Sequence, residues 1–188
     1  MDTFYELQPD IFAKHVPRLV EPLPSGVTFR AGSVIRETLS SPLVFETGHS
    51  ADDPPKAMHG LVVPIMSDAF IAALQQIGVS NVQRFPAEVR SKVDGTVWKN
   101  YQAVNVIGLI ACADLEASEF THIADRPEES AAPLLAFEDL KIDPARAGEA
   151  LLFRLAESPG TILIAGRVVE HILAQGSDEE WGITLDER

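Results

Sequence analysis

The sequence predicts an α+β fold: a mixed or mostly antiparallel sheet with one long central strand, covered by a few short helices. Three observations predict it. Eight of the 13 prolines fall within residues 1–64, and proline removes a backbone donor and biases its predecessor away from the helical region. Residues Tyr101 to Asp114 are apolar on both alternating faces, the pattern of a strand covered on both sides. Capped helical stripes occur near residues 67–77 and 166–176.

Taken in order, the proline-rich part, 1–60, is expected to run as extended strands and turns, with Gly48-His49-Ser50-Ala51-Asp52-Asp53-Pro54-Pro55 as an exposed loop. The apolar run Leu61 to Met66 ends at Ser67-Asp68, a helix N-cap followed by an acid facing the positive helix end. Phe70, Ile71, Leu74 and Ile77 form the stripe of that helix. Gly78 suits the left-handed residue of a Schellman ending, in which Val79 touches Leu74. The long strand Tyr101 to Asp114 follows. Leu134–Leu140 and Leu151–Glu157 read as two further strands, separated by a helical turn that Asp143 caps, Pro144 opens and Gly148 ends. Thr161–Ala165 is a strand rich in β-branched residues. Gly166 then opens a helix with Val168, Val169, Ile172 and Leu173 on one stripe, stopped by Gly176. Trp181–Leu185 is expected to return as a last short strand. The units beginning near Ile65 and Ile164 share one order of strand, cap, helix and stop glycine. This reads either as a pseudo-repeat of strand–helix–strand or as chance similarity between two ordinary units.

With 188 residues, 46% of them hydrophobic and 23% charged, the chain has the makeup of one soluble globular domain covering 1–188. A lone cysteine, Cys112, excludes an internal disulfide and any CxxC site. No apolar run approaches the ~18 residues of a membrane span. Met1 to Glu6 lacks the basic and apolar regions of a signal peptide, so a cytoplasmic location is expected.

Twenty-eight acidic against 15 basic residues give a net charge of −13, which argues against nucleic acid or an anionic membrane as partner. The charge is uneven, −3 over residues 1–94 and −10 over 95–188. Between Asp114 and Glu157, 11 acids meet four bases. A cationic protein surface suits such a distribution, and so does acidity that serves only to keep the protein soluble. The candidate contact residues are Glu116, Glu119, Asp125, Glu128 and Glu129, with Asp178, Glu179 and Glu180 near the C-terminus.

Catalytic signatures are lacking: there is no GxGxxG, GxxxxGK, GxSxG or HExxH, and no cofactor is expected. One cluster offers metal-ligating chemistry, His49, Asp52, Asp53 and His59, and defines the alternative of a metal-dependent enzyme; the competing description is a solvated acidic loop. His122 and Asp125 have the types of an imidazole oriented by a carboxylate, in a segment that equally suits a charged surface. Cys112, flanked by Ile110, Ala111 and Ala113 without a basic neighbour, reads as an inert buried thiol. Asn105 reads as a hydrogen-bonded core amide, and Trp98, Tyr101 and Trp181 as core aromatics before interface anchors.

Tyr101, Asn105, Asp114 and Ser118 stand in the string YQAVNVIGLIACADLEAS. With the helix start at Ser67, the triplet Phe153-Arg154-Leu155, and Ile162 to Gly166 opening a helix, the chain from about Leu61 to Trp181-Gly182 resembles the bacterial immunity-protein family of polymorphic toxin systems. Residues 1–60 carry little of the likeness. The resemblance implies a non-catalytic protein that binds and neutralises a cognate toxin, and it carries over no catalytic residue. Charge alone adds that the toxin is a basic nuclease, covered by carboxylates standing where phosphates would lie. An acidic adaptor of a secretion system is the remaining alternative.

Overall fold

The computed structural model describes residues 3–126 and 132–188. In chain order the elements are Phe4–Pro9 (β1), Arg18–Leu19 (β2), Leu43–Thr47 (β3), Met58–His59 (β4), Ile65–Ser67 (β5), the helix Asp68–Gln76 (α1), Val82–Ser91 (β6), Val97–Val106 (β7), Leu109–Ile110 (β8), Glu119–Ala124 (β9), Leu134–Asp139 (β10), Pro144–Ala147 (α2), Leu152–Leu155 (β11), Ile162–Ala165 (β12), Gly166–Leu173 (α3), Asp178–Trp181 (α4) and Ile183–Glu187 (β13). A six-stranded sheet has the order β2-β3-β6-β7-β5-β4, a five-stranded sheet the order β13-β1-β12-β11-β8, and β9 pairs with β10 in a separate ribbon. The pairings are antiparallel except β3 with β6 and β8 with β11. The expected α+β architecture of mixed and antiparallel sheets with short helices is what the chain adopts.

The central strand starts earlier and stops sooner than its apolar pattern suggests. β7 begins at Val97 and ends at Val106, and Gly108, at φ +110°, turns the chain out of the six-stranded sheet. Only glycine takes that conformation without strain. The next residues, β8, pair with β11 in the other sheet, so the apolar run Tyr101 to Asp114 links two sheets. Its neighbour β6 is a ten-residue strand that carries Pro86 opposite Gln102, with a register shift between Ala87 and Val89. A bulge of this kind is where a sheet tolerates proline.

Both faces of β7 are buried, as its sequence requires. Val104 and Val106 belong to a core shared by α1, α3 and the five-stranded sheet. Tyr101 and Ala103 face a second cluster with Phe29, Ile35, Leu39, Phe45 and Val89. On the first side the cover is regular. Ser67 accepts from the Phe70 N–H, and Phe70, fully buried, contributes about 2 kcal/mol by leaving water. The C-terminal end of α1 is a Schellman motif, with Val79 N–H donating to Leu74 O (3.1 Å) and Gly78 N–H to Gln75 O (3.0 Å), Gly78 at φ +97°. Asp143 likewise caps α2 through the Ala145 N–H (2.9 Å).

The second side is covered by the irregular segment 20–42, which forms no strand; besides backbone bonds such as Gly108 N–H to Gly32 O (2.8 Å), side chains hold it. Gln83 clamps Ile35 through two bonds, accepting from its N–H (2.9 Å) and donating to its carbonyl (2.8 Å). Asn105 donates to Ser33 O (2.8 Å). Arg154, wholly buried in β11, donates to Phe29 O (2.6 Å) and Pro159 O (2.7 Å).

The two strand–helix–strand units match in connectivity. β5, α1 and β6 form a unit in which β7 lies between the two strands, antiparallel to both; β12, α3 and β13 form one in which β1 does so. β4 and β11 flank the units in equivalent places, and α1 packs on α3.

Because Gln83 is the clamp that replaces a strand partner, Gln83→Ala is expected to destabilise the protein by about 2 kcal/mol in urea unfolding. Amide exchange should rise first around residues 33–35.

Candidate functional site

The family-like string ends in a turn that builds a projecting ribbon. Asp114 Oδ1 accepts from the N–H groups of Glu116 (3.1 Å) and Ala117 (3.2 Å), and Asp114 O accepts from Ser118 N–H (2.9 Å). Ser118 Oγ accepts from Lys141 N–H (2.9 Å), and Asp114 N–H donates to Lys141 O (2.9 Å), so the turn is tied to the end of β10. β10 is anchored on the body through Leu135 N–H to Glu157 O (2.8 Å). β9 therefore stands outermost. Among the described residues it pairs with β10 alone, and its residues are exposed up to Ala124, which is half-buried. Phe120 packs on Phe137 across the pair (5.9 Å between ring centres), yet Leu115, Phe120 and Ile123 remain open to solvent, Ile123 at 60%.

The carboxylates along the same stretch outnumber its cations. From Asp114 to Lys141 the described residues include Asp114, Glu116, Glu119, Asp125, Glu138 and Asp139, against Arg126 and Lys141. Lys141 is paired with Asp139 (2.9 Å), and Arg126 donates to Ala156 O (2.8 Å). His122 Nε2 lies 3.0 Å from Asp125 Oδ1, with both groups exposed, a hydrogen-bonding contact on a charged surface. Of the candidate contacts, Glu116, Glu119 and Asp125 thus share the ribbon; Glu128 and Glu129 lie outside the described residues.

Asp178, Glu179 and Glu180 are elsewhere. They form α4, next to β13 at one edge of the five-stranded sheet, whereas the ribbon adjoins the β8 and β11 edge. Four strand spacings of about 4.8 Å separate those edges, roughly 19 Å. The Glu180 carboxylate closes a capping box with Ser177, accepting from its N–H (2.7 Å), and that bond holds its pKa below the ordinary carboxylate range. The two acidic clusters are separate surfaces.

The metal-binding alternative fails on geometry. Among the described residues, no three His, Cys, Asp or Glu side chains are grouped so as to hold a metal ion. His49 is buried, against the expectation of an exposed loop at 48–55, and so is His59 beyond it, while Asp52 and Asp53 are exposed as expected. His49 Nδ1 is engaged by Asp53, 3.0 Å from its carbonyl and 3.3 Å from its carboxylate. The Nε2 atoms of both imidazoles are buried without a hydrogen-bond partner. Burial, and after it the nearby His49, lowers the His59 pKa from 6.5 to about 4.

The model of the immunity protein family (Imm11) matches residues 6–187. The chain belongs to this family. No curated protein matches the sequence. The family match begins far earlier than the likeness drawn from residues 61–182, and the topology gives the reason: β1 lies between β12 and β13, inside the five-stranded sheet.

In this immunity protein the motif residues that carry the likeness build the scaffold. The Tyr101 hydroxyl is directed at the carbonyls of Pro55 (2.7 Å) and Lys56 (3.0 Å), Asn105 and Arg154 hold the irregular segment, and Asp114 with Ser118 forms the base of the ribbon. Trp98 and Trp181 are half-buried, the latter donating to Ile172 O (3.0 Å) and packing on Phe70 (5.2 Å). Cys112 is buried, and desolvation together with the Glu157 charge pushes its thiol up to about 12.

Two measurements check these assignments. Since His59 stays neutral when folded down to about pH 4 but protonates near 6.5 when unfolded, the folded state loses stability as pH falls through that window. Urea unfolding at pH 7 and pH 4 should differ by about 3 kcal/mol from this group, and His59→Gln should remove most of the difference. Cys112 should resist a thiol-specific reagent in the native protein and react fully once unfolded.

Proposed function

We propose that this immunity protein neutralises a basic toxin by covering its active surface, without turning over a substrate, and that the β9–β10 ribbon is the surface it uses. One observation carries the reading: exposed Leu115, Phe120 and Ile123 lie on a ribbon whose described residues carry six carboxylates, of which Asp139 alone is paired with a lysine. A binding surface needs apolar anchors that lose water in the complex and a polar rim that selects the partner. Here both come from one projecting element.

The charge suits a toxin that itself handles nucleic acid. A nuclease gathers Lys and Arg where phosphates bind, and carboxylates such as Glu116, Glu119 and Asp125 can occupy those places. Their field also accelerates encounter with a cationic partner. Within the cell that makes the toxin, fast capture is the property that protects the host.

The test uses the protein encoded directly upstream of this gene as the toxin. Co-expression should rescue a host that the toxin alone kills, and killing in the presence of this protein would end the proposal. Reversing Glu116 and Glu119 to Lys should slow association about tenfold at low salt, measured by stopped flow. The two on-rates should converge above ~0.5 M salt, where charges are screened within a few ångströms. An on-rate indifferent to both changes would remove the ribbon from the interface.

A further inference from the structure

The geometry points to a specific mode of capture: the free edge of β9 accepts an extended, basic segment of the toxin as an additional antiparallel or parallel strand. This rests on the reading that the ribbon is the binding surface, and it names what the partner must offer.

The edges of the other sheets show why β9 stands apart. β2, β4 and β8 are two-residue strands, too short to template another chain. β13 is longer but ends in Asp186 and Glu187, and Arg188, which follows it, is bound to Glu6 (2.7 Å). Such short or charged edges are how proteins prevent unwanted strand pairing. β9, Glu119–Ala124, has six residues, no proline and no lysine, and its apolar Phe120 and Ile123 are exposed. Over Phe120, Thr121 and His122 it pairs in regular register with Phe137, Ala136 and Leu135. Alternate residues in that stretch direct N–H and C=O groups away from β10, into a free ladder.

Charge selects the occupant. A second copy of this chain would bring its own Glu119 and Asp125 against the same residues, in a protein of net charge −13. A segment carrying Lys or Arg at alternate positions would meet them with opposite sign, and apolar residues between would lie against Phe120 and Ile123. Backbone bonds would supply affinity in this mode and the flanking carboxylates specificity, so partners of different sequence can use one edge.

Amide hydrogen exchange on the wild-type protein, free and with the upstream-encoded toxin, reads the edge directly. Strand addition predicts at least about tenfold slower exchange at residues 120–123 in the complex, because outward amides gain acceptors. Thr121→Pro and His122→Pro provide the second arm, since one of these neighbours carries its N–H on the free side. That variant should keep the melting temperature of the free protein while weakening toxin binding about tenfold, the cost of one or two backbone bonds. If the toxin is neutralised while exchange at 120–123 is unchanged and neither proline weakens binding, strand addition is wrong and neutralisation stands. If the toxin is not bound at all, the functional reading fails and takes this inference with it. Sedimentation showing a dimer that protects the same amides in the free protein would assign the edge to a second copy and overturn the proposal.

Discussion

Burial of both faces of β7 is the constraint from which the rest of the molecule follows. A strand with Tyr101 and Ala103 on one side and Val104 and Val106 on the other cannot leave either side in water. The Val104 side meets α1, α3 and the second sheet, elements that satisfy their own backbones. The Tyr101 side meets an irregular segment, which does not. Polar side chains therefore have to enter that interface, and Gln83, Asn105 and Arg154 do so with carbonyls and amides as partners. Among the described residues no carboxylate pairs with Arg154, and burial lowers its pKa to about 10, still far enough above neutrality to keep the charge. Its guanidinium acts here as a rigid fork of donors for loop carbonyls.

Local structure governed by neighbouring residues was legible in the sequence. Ser67, Gly78 and Val79 mark both ends of α1, and Asp143, Pro144 and Gly148 mark α2, because caps are short-range chemistry. Structure set by distant partners was not. The apolar run Tyr101 to Asp114 looks continuous, yet Gly108 divides it between two sheets. β6 is disguised by Pro86 and three charged residues, and is recognisable only beside β3 and β7. The ribbon was half legible: its charge was visible, but its separation from Asp178, Glu179 and Glu180 depends on strand order across the five-stranded sheet. The histidine loop was legible in part, because spacing in sequence says nothing of which side chains are buried: His49 and His59 turn inward while Asp52 and Asp53 do not.

The residues most useful for placing the chain in its family do not themselves face a partner. Tyr101, Asn105 and Arg154 are buried, and Asp114 and Ser118 form hydrogen bonds that seat the ribbon. β9, which they present, is exposed over most of its length. A scaffold specified in this way holds the backbone of the exposed strand in place whatever side chains that strand carries.

The matching of the two strand–helix–strand units has a consequence for how the gene could be written. In the first unit the middle strand, β7, follows the other two; in the second, β1 precedes them in the chain. β1 and β13 nonetheless lie side by side, the Arg188 N–H donating to Phe4 O (3.0 Å). A short peptide bridge there, with a new opening made elsewhere, would thread both halves in identical order without moving any packed residue. The path of covalent bonds through this molecule is thus one of several compatible with its interior.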